Sequence, residues 1–357
     1  MPKVRLSGTI TGSDDPNREV RAKMLYQLFS RGWDIYNSNG DQRITLSNIE
    51  RKIVEANAFI FMPGASLEDL FKAISIFVGY QTLDPNLSSK ATVILNADGT
   101  WTPMFNLLGN LHTLGTIRQN YRNYLLETAN PEGVLSELEK VQRLGVPDPG
   151  RTKVTECSET SYDTPLPAGS TGNVCIFCSA SIEDESYLED GYALGRELAM
   201  NQMGCVSGAG TTGVMGAVVR GSVDAGGWTG GSNVPHIIEL EGLPEGLSSF
   251  WLRNDIYTRM EAMIENSDAF VIFPGGAGTV QEMLALLIFK QMNHPCMMGK
   301  PVILYNRLNP DGSTRFWDKL IDLLEPWEND TLYTIVEDLD AIVPATKGLL
   351  KHKICAS

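Results

Sequence analysis

The sequence predicts an α/β protein made of two Rossmann-like domains, each with a parallel sheet between layers of helices. Short apolar strand candidates alternate with amphipathic helix patterns in both halves, which is typical of βαβ units. The halves also resemble each other, because IVEANAFIFMPG (Ile53–Gly64) aligns without gaps on IENSDAFVIFPG (Ile264–Gly275). A length of 357 residues suits about two domains. We therefore interpret the chain as a duplicated fold.

Composition places the boundary between the two copies. Residues 146–172 are rich in Pro, Gly, Ser and Thr and lack apolar periodicity, which predicts a linker. The first domain is then expected over residues 1–145 and the second over 173–357. The strand candidates are the apolar runs Val4–Leu6, Trp33–Tyr36, Ala58–Met62, Ala91–Leu95, Val174–Cys178, Cys205–Ser207, His236–Leu240, Ala269–Phe273 and Pro301–Tyr305. Helices are expected over Val214–Asp224, over Arg253–Asn266 and from about Thr279.

Charge and hydropathy exclude several classes of partner. With 29 basic and 43 acidic residues the net charge is -14, so a broad surface for nucleic acid or for an anionic membrane is not expected. No apolar stretch approaches the roughly 18 residues of a membrane-spanning helix, and Met1–Thr11 lacks the apolar core of a secretion signal. We expect a cytoplasmic protein.

The cysteines and histidines do not indicate a metal site. Cys175 and Cys178 spell CxxC, but they lie within a strand candidate and no second pair follows at zinc spacing. Buried structural thiols are the favoured interpretation, and a redox or metal role is the alternative. The four histidines are scattered. We expect neither a metal nor a cofactor.

Two glycine loops are candidates for phosphate binding. Gly275, Gly276 and Gly278 with Thr279 follow an apolar strand and open a helix. Glycines there allow positive φ and close backbone approach, and a helix N-terminus attracts anions. The other loop comes earlier in the chain and is called the first glycine loop; it contains Gly208, Gly210, Thr211 and Gly213 and matches GxGxxG, a weak signal alone. For both loops the alternative is a tight turn that needs glycine for geometry alone.

Glu282 and Arg259 are charged residues that are candidates for a functional role beside these loops. Glu282 lies three residues after Thr279, so the pair could instead form a capping box, and Ser66 and Asp69 keep that spacing in the first domain. Arg259 precedes the strand that leads into the Pro274–Thr279 loop and can reach the same sheet edge. A solvated helix face is the alternative for Arg259.

Residues 173 to about 325 resemble the Lonely Guy family of phosphoribohydrolases. The ordered motifs are Cys178–Ser181, Tyr187 with Leu194–Gly195, Gly208–Gly216, Arg259–Met263 and Pro274–Glu282, the last of which is highly specific. Met260, Ala209 and Ser179–Ala180 depart from the family pattern. The segment Asp255–Arg259 is similar to bacterial pyrimidine/purine nucleotide nucleosidases, which favours ordinary nucleotides over a cytokinin.

The resemblance implies a function and assigns residues to it. The expected activity is hydrolysis of the N-glycosidic bond of a nucleoside 5′-monophosphate, without a cofactor, by a homodimer or larger homo-oligomer. Arg259 and Glu282 would be catalytic. The binding residues would be Gly275, Gly276, Gly278, Thr279, Ser179, Gly208, Gly210, Thr211 and Gly213. The alternative is a non-catalytic nucleotide or molybdenum-cofactor carrier or sensor, because such carriers share the fold and a similar glycine motif.

The first domain is expected to be a catalytically inactive copy. Its counterpart of the Pro274–Glu282 motif lacks the glycines after Gly64, and its loop is two residues shorter. Asp69 would take the place of Glu282, and ungapped alignment puts Asn48 where Arg259 stands.

Overall fold

The structure is a computed structural model, and it describes residues 3–7, 17–37, 46, 56–84, 90–117, 120–144, 157–327 and 332–356. The chain divides into two compact units. Unit 1 comprises Met1–Thr113 with Ile117–Thr152, and unit 2 comprises Leu114–Thr116 with Lys153–Ser357. Each unit is built around its own parallel sheet.

Unit 1 contains a five-stranded sheet in the order β2-β1-β3-β4-β5, in which every pair is parallel. Its strands are β1 (Lys3–Ser7), β2 (Asp34–Asn37), β3 (Ala58–Phe61), β4 (Ala91–Leu95) and β5 (Leu125–Thr128). Its described helices are α1 (Arg18–Ser30), α2 (Leu67–Gln81), α3 (Thr102–Thr113) and α4 (Pro131–Leu144), with a 3₁₀ turn at Tyr121–Asn123. Apolar side chains of α1 and α4 pack on β1, β3 and β4, as in the contacts among Met24, Leu138, Val4, Ile60 and Val93.

Unit 2 contains a seven-stranded parallel sheet in the order β12-β11-β10-β6-β7-β8-β9. Its strands are β6 (Asn173–Phe177), β7 (Gly204–Ser207), β8 (Thr229–Asn233), β9 (Ser249–Leu252), β10 (Ala269–Ile272), β11 (Val302–Tyr305) and β12 (Thr334–Val336). Its described helices are α5 (Glu185–Met200), α6 (Gly213–Asp224), α7 (Pro235–Glu241), α8 (Ile256–Glu265), α9 (Ala277–Gln291), α10 (Asp318–Leu324) and α11 (Ile342–Ala356). Short 3₁₀ turns lie at Pro295–Met297, Glu325–Trp327 and Leu339–Ala341.

The Rossmann-like fold class is confirmed, and eight of the nine strand candidates coincide with strands to within a residue or two. The strand expected over His236–Leu240 is wrong, because these residues belong to α7, whose first residue is Pro235. Proline suits the first position of a helix, and there it outweighs the apolar run that follows. The neighbouring strand β8 has the sequence TGGSN, and it is buried although it contains no large apolar side chain.

Part of the predicted linker lies on the edge of the second sheet. Tyr162 forms an antiparallel bridge with Phe250 of β9, with N···O distances of 2.9 and 2.8 Å. The Trp228 indole donates to the Thr164 carbonyl at 2.8 Å. The described residues 157–172 therefore pack on unit 2 and cover the edge strand, which would otherwise expose unpaired backbone groups.

Close packing of α5 on α6 explains Gly195, which belongs to the Leu194–Gly195 motif. A Cβ on Gly195 would overlap the Val218 carbonyl, and a Cβ on Gly221 would overlap the Tyr192 carbonyl. These glycines let the two helix backbones approach, and this packing fixes the position of α6 after the first glycine loop. Within the described residues, no helix is long and apolar enough to cross a membrane.

Candidate functional site

The candidate site lies at the point where the strand order of unit 2 reverses. The chain proceeds from β6 to β7 on one side and from β10 to β11 on the other, and β6 and β10 are neighbours. Their loops meet, because the Ser179 amide donates to the Pro274 carbonyl at 3.2 Å. In open parallel sheets, ligands bind in the crevice outside the carboxyl ends of the strands at such a switch point.

Helix α9 begins at this crevice without a side-chain cap. Gly276 is its N-cap, with φ −101°, and Ala277 is its first residue. The helix therefore begins before Thr279, so the alternative of a Thr279–Glu282 capping box is excluded, and positive φ is not what requires glycine at position 276. A Cβ on Gly275 would overlap the Thr279 side chain, whereas one on Gly278 would meet nothing within 4 Å. The first-turn N–H groups and the helix dipole make this start of α9 suited to an anion.

The corresponding turn in unit 1 is closed by its own side chains. Ser66 caps α2, and its hydroxyl accepts from the Asp69 amide while the Asp69 carboxylate accepts from the Ser66 amide, each at 3.2 Å. The Gly64 amide donates to the Thr100 hydroxyl at 3.1 Å. These amides of unit 1 already have protein acceptors, in contrast to the uncapped start of α9.

The observed helix starts change two predictions for unit 1, namely the length of its turn and the residue that is equivalent to Glu282. Gly64 precedes α2 by three residues and Gly275 precedes α9 by two, so the turn in unit 1 is one residue longer, not shorter. Asp69 completes the capping box with Ser66 and does not replace Glu282. The sixth residue of α2, equivalent to Glu282 in α9, is Lys72, which is buried and forms an ion pair with Glu68. Asn48 lies outside the described residues.

Arg259 is buried and points at the first glycine loop. Its Nε donates to the Ser232 carbonyl at 2.9 Å and its Nη2 to the Gly208 carbonyl at 3.1 Å, and the residue is 8% exposed. Helix α8 starts three residues earlier, capped by the Asp255 carboxylate, which accepts from the Tyr257 amide at 2.9 Å. Arg259 therefore does not lie on a solvated helix face. A Cβ on Gly208 would overlap Nη2, so any larger residue there would displace the guanidinium from its observed position.

Glu282 is buried in the second turn of α9 and is 7% exposed. Burial raises its pKa to about 8; the Arg259 charge lowers the pKa, and the Glu241 charge raises it. Burial also raises the pKa of the Cys178 thiol, with a contribution from the Glu282 charge. Glu282 is therefore mainly protonated at neutral pH.

The amides of the first glycine loop donate within the protein. Ala209 has φ +54°, a left-handed conformation at the position where the family pattern has glycine. The acceptors of the amides at 209, 210 and 211 are, in order, Ser207 Oγ at 3.2 Å, Met215 Sδ at 3.2 Å and the Glu241 carbonyl at 3.0 Å. These three amides are used to fix the loop, unlike those at the start of α9.

Gly213 and Ser179 shape the turns beside this loop. Gly213 is the first residue of α6 with φ +57°, and a Cβ there would lie 2.6 Å from the carbonyl carbon of Ala180. The buried Ser179 hydroxyl accepts from the amides of Ser181 at 3.0 Å and Ile182 at 3.1 Å. Both residues lie at the same sheet edge as Arg259 and Glu282.

Glu241 is the charged residue that sequence reasoning missed. It is the last residue of α7, and its charge acts on both Glu282 and Cys178. No local pattern marks it, because the apolar run His236–Leu240 directly before it is interpreted as a strand from the sequence.

The described residues contain no group of three or more His, Cys, Asp or Glu side chains able to hold a metal ion. Cys175, Cys178 and Cys205 are buried and free, and burial raises the pKa of each thiol. These side chains are packed in the sheet interior.

The strand order, the switch-point crevice and the glycine turn into α9 define a Rossmann-like α/β protein. A family model described as "Possible lysine decarboxylase" matches residues 215–351. Arabidopsis thaliana cytokinin riboside 5′-monophosphate phosphoribohydrolase LOG5 is 30% identical over 190 residues, which cover 50% of this chain and 81% of that protein. The probable enzyme LOG6 of the same plant is 32% identical over 151 residues, 42% of this chain and 70% of that protein.

Among solved structures, the molybdenum cofactor binding protein of Rippkaea orientalis is 17% identical, with a TM-score of 0.41, and the match covers 51% of this chain and 99% of that one. The sequence relatives decide the family. The chain belongs to the Lonely Guy (LOG) family.

Proposed function

We propose that unit 2 hydrolyses the N-glycosidic bond of a nucleoside 5′-monophosphate and releases the free base and ribose 5-phosphate. The observation that carries this proposal is that an uncapped, glycine-lined helix start lies at the same sheet edge as a buried arginine and a buried glutamic acid. The names of the LOG relatives, which act on a riboside 5′-monophosphate, support the same substrate class.

The start of α9 is the proposed phosphate site. The main-chain N–H groups of its first turn and the helix dipole would bind the 5′-phosphate without a lysine. Gly278 adds room, since its Cβ position faces open space. The first glycine loop then has a different task, because its amides at 209–211 are already used.

Arg259 is proposed to orient the substrate. A guanidinium has five N–H bonds, and two of them donate to Ser232 and Gly208. These two bonds fix the plane of the guanidinium, and the other N–H groups remain for phosphate or ribose oxygens.

Glu282 is proposed to transfer the protons of the reaction. With a pKa of about 8 it is mainly protonated at neutral pH, so it can donate its proton to the base nitrogen as the C1′–N bond breaks and the electron pair leaves with the base. The resulting carboxylate stabilises the oxocarbenium-like sugar. It then accepts a proton from the water whose oxygen bonds to C1′, which restores Glu282.

Unit 1 is proposed to be non-catalytic. Its turn is capped by Ser66 and Asp69, and Lys72 occupies the helix position of Glu282. A cytoplasmic location and a homo-oligomeric state remain part of the proposal and rest on the sequence and the family resemblance.

The test is release of free base by the purified full chain from AMP, GMP, CMP and an N6-substituted AMP. At least one nucleotide should be hydrolysed, and Glu282→Gln should slow release about 100-fold to 10,000-fold while nucleotide binding persists. Glu189→Gln, a change at an exposed position of α5, is the matched control and should keep wild-type turnover. Nucleotide binding without any release would favour the carrier alternative and overturn the proposal.

A further inference from the structure

Helix α1 of unit 1 has a buried face and an exposed aromatic face. Met24 and Leu28 are fully buried, whereas Tyr26 is 74% and Phe29 77% exposed. Aromatic side chains carry much of the apolar area of protein cores and interfaces, and they are enriched among the residues that dominate binding. Two such rings, three residues apart on one helix, therefore indicate a contact surface.

Four exposed residues of α1 lie in one narrow stripe, which we call the α1 stripe. It consists of Arg18, Ala22, Tyr26 and Phe29, and each of these residues is exposed. Successive residues of an α-helix are rotated by about 100°, so the four positions lie within about 80° of one another around the helix axis. The stripe thus offers a cation, a small residue and two rings on one side of the helix.

The cation of the α1 stripe differs from its basic neighbours on the same helix. Lys23 forms an ion pair with Glu132 of α4 at 2.6 Å, and the Arg21 guanidinium donates to the Pro63 carbonyl. Arg18 is exposed and forms no ion pair with the part of the chain that the structure describes. Its guanidinium can therefore lie over an aromatic ring of a partner, which attracts the positive charge.

The order of residues makes the α1 stripe complementary to a second copy of itself. In an antiparallel pair of identical helices related by a twofold axis, residues at equal distances on either side of the axis lie opposite each other. The midpoint between Arg18 and Phe29 and the midpoint between Ala22 and Tyr26 differ by half a residue, which is less than about 1 Å along the helix. One axis therefore places Arg18 against the partner's Phe29 and Ala22 against the partner's Tyr26.

We propose that the α1 stripe is a contact surface between two copies of this chain, packed antiparallel about a twofold axis through the middle of α1. Each contact occurs twice, so the pair has two arginine–phenylalanine contacts and two sites where a small residue makes room for a large one. The four rings would cover roughly 600 Å². That area lies at the weak end of specific interfaces, so the association is expected to be reversible.

The test is sedimentation velocity of the purified full chain at concentrations from about 1 to 200 μM. The mass of the wild type should double reversibly with concentration. Phe29→Lys puts a second cation opposite Arg18, twice in each pair, and should raise the dissociation constant at least about tenfold. Met200→Lys is the control, because Met200 on α5 is also apolar and 64% exposed, and this variant should associate like the wild type.

Two further variants test the antiparallel register. Phe29→Glu places a carboxylate opposite Arg18 of the partner, so an ion pair replaces the ring contact and the dissociation constant should stay within about threefold of wild type. Phe29→Lys combined with Arg18→Glu exchanges the two sides and should restore the association. A contact that merely uses the exposed ring would be weakened equally by lysine and glutamate, and that result overturns the proposal.

A wild type that is no heavier than Phe29→Lys at every concentration also overturns the proposal. If circular dichroism shows that Phe29→Lys does not fold, Ala22→Gln replaces it. Glutamine forms helices well, but its side chain would fill the space that the partner's Tyr26 needs, so the dissociation constant should again rise at least about tenfold. An unchanged constant in Ala22→Gln overturns the contact.

This inference is independent of the proposed activity. The α1 stripe lies in unit 1, outside the residues 215–351 that the family model matches. A homo-oligomer held by unit 2 alone would keep its mass in Phe29→Lys, which overturns the α1 contact and leaves the proposed function unaffected. A chain that releases no base from any nucleotide would refute the proposed function, whereas sedimentation would still decide whether α1 pairs.

Discussion

Replacing Glu282 with glutamine should stabilise unit 2 at neutral pH, although the same change should slow the proposed base release. The folded side chain has a pKa of about 8, against an ordinary value of 4.5. Between these pH values the folded state binds a proton that the unfolded state has lost, so stability falls as pH rises through this window. Glutamine keeps a similar shape and has no proton to lose.

The size of the effect follows from linkage. At pH 7 the unfolded glutamate lies about 2.5 units above its pKa, and each unit corresponds to about 1.4 kcal/mol, so the variant gains about 3 kcal/mol. At pH 5 the gain should be about 1 kcal/mol or less, for the same reason. For a unit of about 200 residues, 3 kcal/mol corresponds to a rise in melting temperature of roughly 6–12 °C.

The assay is scanning calorimetry of wild type and Glu282→Gln at pH 5, 6, 7 and 8. Hydrogen exchange of the β10 amides identifies which transition belongs to unit 2. Glu189→Gln should show no pH-dependent gain. A gain that stays constant from pH 5 to 8, or a variant less stable than wild type at pH 7, would refute the assignment of a raised pKa to a buried Glu282.

Three further substitutions test other parts of the account. Gly208→Ala should displace the Arg259 guanidinium, lower the stability by about 1–3 kcal/mol and slow base release about 100-fold. The control is Gly348→Ala on the exposed face of α11, where a Cβ meets nothing within 4 Å, and it should leave base release unchanged. Equal base release by the two variants would contradict the role of Gly208. Gly278→Val should weaken AMP binding at least about tenfold, with the stability within about 1 kcal/mol of wild type. Titration calorimetry of wild type should give one bound AMP per chain. Two AMP sites would show that unit 1 also binds nucleotide. Ser66→Ala should cost unit 1 about 1 kcal/mol through loss of its helix cap and leave base release unchanged, as urea unfolding and the base-release assay would show.

Apolar strands and glycine turns could be predicted because their signals are local. The runs that became β4, β6, β7, β10 and β11 are mostly apolar, and nearly all of their residues are buried. Strand β8 lacks this signal. Its sequence TGGSN becomes a strand because its neighbours β7 and β9 pair with it, which is a tertiary effect.

The site shows the same division between local and tertiary information. The glycines before α9 and the order of motifs indicated Arg259 and Glu282, and the structure places both, buried, at one sheet edge. Glu241 could not be found in this way, because its proximity to Gly210 depends on how α7 packs. The capping-box alternative for Glu282 could not be excluded from sequence for a related reason, since Ser66–Asp69 and Thr279–Glu282 share a spacing but only Ser66 is the N-cap of its helix.

The central claim is tested most directly by identifying both products formed from a hydrolysed nucleotide. The account predicts that the purified chain converts at least one of AMP, GMP, CMP and an N6-substituted AMP into equimolar free base and ribose 5-phosphate, with oxygen-18 from labelled water at C1 of the ribose 5-phosphate before the sugar exchanges its oxygen. Release of inorganic phosphate and a nucleoside would contradict the account, because the bond broken would then be the phosphate ester. Tight binding of these four nucleotides with no product would contradict it equally.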